Sequence, residues 1–122
     1  SLDETVKIAL LNGSTKVGVT QSAEEKIKTL FPEGAEVVAK EKASKNDYQG
    51  VSVIDTTGKA TAKAGELAMA LGGTIVPSMP IGEVIPQEAD IVVIIGGNAP
   101  VATKTMPVTI EKDVVNTGVR PQ

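Results

Sequence analysis

Five consecutive branched aliphatic residues, Ile91-Val92-Val93-Ile94-Ile95, constrain this chain more than any other stretch. A strand with large apolar side chains on both faces must be covered on both, so the run reads as an interior strand. A second run has the same property: Val6, Ile8 and Leu10 share one face at a period of two, and Ala9 and Leu11 make the other face apolar. We read Val6 to Leu11 as the central strand. It stops on Asn12-Gly13-Ser14-Thr15, where Asn12-Gly13 is expected to supply the positive φ of a sharp exit and Ser14 or Thr15 to cap the helix that follows.

From Gly18 to Phe31, Val19, Ala23, Ile27, Leu30 and Phe31 fall on one helical face, and Pro32 and Gly34 end the pattern. Ala35 to Lys40 reads as a strand, and Glu41 to Gln49 as a charged, solvated connection. Val51 to Asp55 is a third strand. A helix follows with Ala60, Ala64, Leu67, Ala68 and Leu71 on one face, stopped by Gly72-Gly73. Thr74 to Val76 is a short strand, and Ser78 to Glu88, with Pro80, Gly82 and Pro86, is a loop. Residues 99–122 read as a loop, one edge strand at Val108 to Ile110, and a tail.

Laying Val6 to Ala39 over Val51 to Met79 repeats one pattern: strand, turn, amphipathic helix, short strand. No helical pattern separates the second strand from the third. The expected fold is therefore α/β, a ferredoxin-like split βαβ sandwich: βαββαβ with an extra short strand, two helices packed on one mainly antiparallel sheet. Its first and last strands run in opposite directions, which sets the Asn12 turn and Gly96-Gly97-Asn98 at opposite ends. Two helices cover one face only, so the tail, a second copy or a parent protein is expected to shield the other.

A chain of 122 residues suits one domain, and this one has no histidine and no cysteine. A Ser-His-Asp triad, a thiol nucleophile, an imidazole shuttle and nearly every zinc site are thereby removed. Phe31 and Tyr48 are its only aromatic residues and the net charge is −3, which speaks against a stacking platform or phosphate-driven nucleic-acid binding. The chain begins Ser1-Leu2-Asp3-Glu4 without an initiator Met, and we read it as an excised piece of a longer protein.

Asn12, Gly13 and Ser14 are the candidate binding residues, because a strand-to-helix turn can direct backbone N–H groups at an anion. The spacing fits neither a Walker loop nor a dinucleotide fingerprint. Asp55-Thr56-Thr57-Gly58 has no second copy to make a carboxylate pair, so Asp55 is expected to accept hydrogen bonds from its own turn. No catalytic constellation emerges, and the chain is expected to be a non-enzyme without metal or cofactor.

Three stretches resemble the C-terminal accessory domain of LytR-CpsA-Psr cell-envelope proteins, the LytR C-terminal domain. The first is Val6-Lys7-Ile8-Ala9-Leu10-Leu11-Asn12-Gly13-Ser14, followed at Gly18 by a helix. The second is Ala64, Leu67, Ala68, Leu71 and Gly72, similar to the family's A-x-x-L-A-x-x-L-G run. The third is Ala89-Asp90 with Ile91 to Gly96, similar to its closing A-D-hydrophobic-G strand. The resemblance covers about residues 5–98. It implies a non-catalytic, extracytoplasmic module of a membrane-anchored, Gram-positive-type envelope protein. The partners it implies are peptidoglycan or wall polysaccharide, a protein partner or a second copy, with no nucleic acid. Lys40, Lys42 and Lys45 are then candidate contacts to acidic wall polymers such as teichoic acids. The alternative is a nucleotide or flavin phosphate held on the Asn12 to Thr15 turn.

Overall fold

The apolar periodicities become β1 (Val6–Asn12), α1 (Val19–Leu30), β2 (Ala35–Lys42), β3 (Val51–Asp55), α2 (Thr61–Leu71), β4 (Thr74–Val76) and β5 (Ile91–Ile95), with a short 3-10 turn at Pro86–Glu88. This is a computed structural model that describes residues 5–98; the loop, edge strand and tail expected at 99–122 lie outside the described residues.

Two helices pack on a five-stranded mixed sheet of order β2-β1-β5-β3-β4. β1 pairs parallel with β2 and with β5, β3 pairs parallel with β4, and only β3 with β5 is antiparallel. The expected mainly antiparallel, split arrangement is therefore corrected. No strand separates β1 from β2, or β3 from β4, so each half is a plain βαβ unit. The strand with the strongest demand for two-sided cover, β5, takes the middle of the sheet in place of β1.

The repeat legible in the sequence becomes a symmetry about β5. Val93 at its centre lies opposite Leu10 of β1 and Val53 of β3, while Ile91 faces Ile8 and Ile95 faces Val51. All five β5 residues are buried, the most exposed at 6 %. Burying each such side chain stabilises by about 1.5–3 kcal/mol. One sheet face packs Ile8, Leu10, Val53, Ile91 and Val93 against Ala23 and Ile27 of α1 and Ala64, Leu67 and Ala68 of α2.

The other face, with Ala9, Leu11, Ile54, Val92 and Ile94, is packed by Ala43, Tyr48, Met79 and Ala89 from the chain's own loops. The tail expected to shield this face lies outside the described residues; among the described ones, cover comes from the connection expected to be solvated, Glu41 to Gln49, and from the segment between β4 and β5. Their few apolar residues are too widely spaced in sequence to register as periodic.

A β-bulge in β2 matters for the site. Ile8 faces Val37 and Ala9 faces Ala39, which leaves Val38 as the extra residue. Side chains alternate across a strand, so one inserted residue switches the faces of everything after it. Lys40 consequently stands on the helix side, where its Nζ meets Glu24 of α1 at 2.6 Å. Lys42, two residues on, shares that side.

Candidate functional site

β5 runs parallel to β1, so the glycine turns that follow the two strands lie at the same end of the sheet, contrary to the expectation of opposite ends. The Gly13 N–H donates to the Ile95 carbonyl at 2.8 Å. Between the turns sits Tyr48: its N–H donates to the Gly13 carbonyl at 3.1 Å, and its carbonyl accepts from the Gly97 N–H at 2.7 Å. A Cβ on Gly13 would lie 2.5 Å from the Tyr48 ring, and one on Gly96 would collide with the Tyr48 backbone. Both glycines are thus the floor of a notch that holds the loop tyrosine. Gly13 is absent from the positive-φ glycines, which corrects the expected role of Asn12-Gly13; the left-handed residue is Gly18 (φ 84), at the N-terminus of α1.

Asn12 and Ser14 are spent on each other. Asn12 Oδ1 accepts from the Ser14 N–H at 2.9 Å and from the Ser14 hydroxyl at 2.8 Å, Asn12 Nδ2 donates to the Lys16 carbonyl at 2.7 Å, and the Lys16 N–H donates to Ser14 Oγ at 3.1 Å. Ser14 is buried and neither it nor Thr15 caps α1, which has no side-chain cap. The hydrogen bonds of Asn12 and Ser14 shape the turn, and both residues also line the cavity beside it.

Beside this turn lies a cavity of about 480 Å³ between residues 12–17 and 42–46. Three lysines line it: Lys16 from the turn, Lys42 at the end of β2 and Lys45 from the loop. Among the described residues none of the three is in an ion pair, whereas Lys40 and Lys28 both engage Glu24 and Lys63 engages Glu66. Lys40, the first of the three lysines named as candidate polymer contacts, is paired with Glu24 and does not line this cavity, and its hydrogen bond is the main reason the Glu24 carboxyl is held below its ordinary pKa. Lys16 lines the cavity instead. Sequence reasoning missed it, although its position just past the Asn12 turn was a usable signal. Lys45 Nζ also stands 4.9 Å from the Tyr48 ring centroid, a cation–π distance.

The loop carrying Lys45 is fastened from beneath. Glu83 accepts from the Ser44 N–H and hydroxyl and from the Tyr48 hydroxyl, the last two at 2.6 Å. Burial pushes the Glu83 carboxyl up, but the bonds from Ser44 and Tyr48 outweigh it and leave the group below its ordinary pKa. Tyr48 is pushed up to about 12, by burial first and then by its bond to the Glu83 carboxylate.

Asp55 acts as expected from its own turn: Oδ1 accepts from the Thr57 N–H and hydroxyl and the Gly58 N–H, and Oδ2 from the Ala60 N–H and Thr61 hydroxyl. Its carboxylate thus joins β3 to the first residues of α2. A second cavity of about 750 Å³ lies between the helices, lined by Leu30, Phe31, Met69 and Ala70 with Lys26 and Glu66, and offers little polar chemistry to orient a ligand. Among the described residues no cluster of acidic, histidine or cysteine side chains could hold a metal ion, and no helix is long and apolar enough to cross a membrane. No family model matches this chain, and no curated protein or solved structure proved similar to it.

Proposed function

We propose that the chain is a non-catalytic binding module of the LytR C-terminal kind, an extracytoplasmic part of a bacterial envelope protein, and that it holds phosphate-bearing wall polymer in the lysine-lined cavity. One observation carries the reading: Lys16, Lys42 and Lys45 converge on a single cavity and are in no ion pair among the described residues. Ammonium groups outside ion pairs bind as point charges and suit phosphodiesters. Thr15, Ser44 and Asn46 add hydroxyl and amide groups for polyol hydroxyls. The Tyr48 ring is engaged by the Gly13 notch and by Lys45, so the cavity has no open aromatic face for a sugar ring.

The second reading, a nucleotide or flavin phosphate, draws on the cavity's volume, which falls within the range of about 300–1,000 Å³ usual for small ligands. It lacks an aromatic or broad apolar wall for a base or flavin ring. Isothermal titration with poly(glycerol phosphate) oligomers, a neutral glycan, nucleotides and riboflavin phosphate separates the two. We expect salt-sensitive binding of the polymer, weakened at least about tenfold when Lys16, Lys42 and Lys45 are all changed to Gln. Equal affinity for the neutral glycan, or tight binding of nucleotide alone, rejects the polymer reading.

A further inference from the structure

Seven large apolar side chains stand exposed among the described residues; one of them, Val17, lines the lysine cavity, and three, Ile81, Val84 and Ile85, lie on the loop whose Glu83 holds the cavity residue Ser44. Val17 is 94 % exposed and lines the cavity itself, while Ile81 is 98 % and Val84 77 % exposed on the loop after β4. That loop is joined to the cavity through Ser44. The Ser44 N–H and hydroxyl are held by Glu83, and a Cβ on Gly82 would lie 3.7 Å from its Oγ. Single exposed aliphatic residues are ordinary on a protein surface, but their grouping on segments next to three lysines that form no ion pair among the described residues is not explained by the fold.

The orientation of Glu83 sharpens the point. It is the only charged residue from Met79 to Ile85, and its carboxylate is turned inward onto Ser44 and Tyr48. The loop tip therefore presents Ile81 and Val84 to solvent without an acid beside them. Of residues 42–48, Asp47 alone carries a negative charge, against Lys42 and Lys45.

We infer that this end of the molecule docks on an anionic lipid bilayer, with Val17, Ile81 and Val84 entering the boundary between headgroups and acyl chains and Lys16, Lys42 and Lys45 meeting lipid phosphates. Apolar side chains that enter the interface combined with nearby cations are the usual chemistry of reversible surface binding. The chain's net charge of −3 opposes the approach, but screening confines the field to about 8 Å at physiological salt, so the local lysines govern contact. The docking surface shares its lysines with the polymer-binding reading and does not depend on the polymer.

Co-sedimentation of the full chain with vesicles of phosphatidylcholine alone, or of phosphatidylcholine mixed equally with phosphatidylglycerol, tests the inference. Partition onto the mixed vesicles and not the neutral ones is expected. The Ile81→Ser/Val84→Ser double variant should reduce partition about tenfold or more, and changing the three lysines to Gln about a hundredfold. Both apolar positions are exposed, so circular dichroism should report an intact fold. The serine variant should still bind poly(glycerol phosphate) as the parent chain does. Absence of sedimentation with mixed vesicles, or sedimentation that the serine variant leaves unchanged, overturns docking. Polymer titration is a separate readout, so its failure removes the polymer reading alone.

Discussion

The turn after β1 and the turn after β3 are built on one hydrogen-bond plan. Asn12 accepts from the N–H and hydroxyl of Ser14, and Asp55 from the N–H and hydroxyl of Thr57; the Lys16 N–H then returns to Ser14 Oγ, and the Lys59 N–H to Thr57 Oγ1. Gly13 donates to the carbonyl of Ile95, at one end of β5, and Thr56 to that of Asp90, just before the other end. The two turns diverge in what they serve. The first carries a neutral amide and a glycine, admits the Tyr48 ring and borders the lysine cavity. The second carries a carboxylate that accepts from the first residues of α2, and its Thr56 hydroxyl donates to the carbonyls of Ala89 and Asp90. The same local chemistry thus builds a cavity wall in one half and a helix anchor in the other.

Position 13 against position 56 should give the largest contrast. Gly13→Val must push its side chain into the Tyr48 ring and should cost about 3 kcal/mol, whereas Thr56→Val loses its hydroxyl bonds at about 1–2 kcal/mol. Urea denaturation midpoints decide; equal losses would break the notch explanation. Next in size is the charge difference. Burial raises the Asp55 carboxyl, but the bonds from Thr57, Gly58 and Ala60 win and hold its pKa below 3.8. A depressed carboxyl contributes stability that is present above its unfolded pKa and lost as pH falls through the folded value. Asp55→Asn should therefore cost about 1–2 kcal/mol near neutrality and flatten the acid side of the stability curve. The corresponding change in the first turn, Asn12→Asp, sets its second oxygen against the Lys16 carbonyl to which Asn12 Nδ2 now donates, which opposes the charged form, so it should not steepen the acid limb; a steeper acid limb would show that the two turns are interchangeable.

Tyr48 belongs to the first half alone. Its pKa is raised from 10.0 to about 12, so its contribution is complete below pH 10.0 and is lost as pH rises towards about 12. Alkaline titration followed by circular dichroism should show that loss, and Tyr48→Phe should remove it at a cost of about 1 kcal/mol near neutrality. The smallest effect on stability concerns Lys16 and Lys59, which hold equivalent places. Changing either to Gln should alter stability by less than about 0.5 kcal/mol, yet only Lys16→Gln should weaken polymer binding. Equal weakening by both would assign the binding to general surface charge.

Two-sided burial of the Ile91 to Ile95 run, both helices and the internal repeat were legible because each rests on a local period. Strand order was not. It depends on which strand enters the gap between the two βαβ units, and β1 and β5 carry nearly the same apolar signature. The bulge at Val38 was invisible for a similar reason: a single inserted residue changes the facing of Lys40 and Lys42 without changing their spacing. Of the named site residues, Asn12, Gly13 and Ser14 form the turn beside the lysine cavity, where they are structural pieces. The groups that face the cavity come from Lys42, Lys45 and Lys16, brought together by strand pairing over long sequence separations.

The placement of β5 has a consequence for how the chain comes together. Within the sheet, β1 and β3 touch only through a strand that is made last among those described. During synthesis each βαβ unit emerges with an unpaired inner edge, and both edges are templates for the same late segment. Closure then requires a contact of long sequence separation, which is entropically slow. Until it happens, the β5 segment of a neighbouring nascent chain can complete the sheet equally well, so the keystone strand is also the segment most exposed to exchange between molecules.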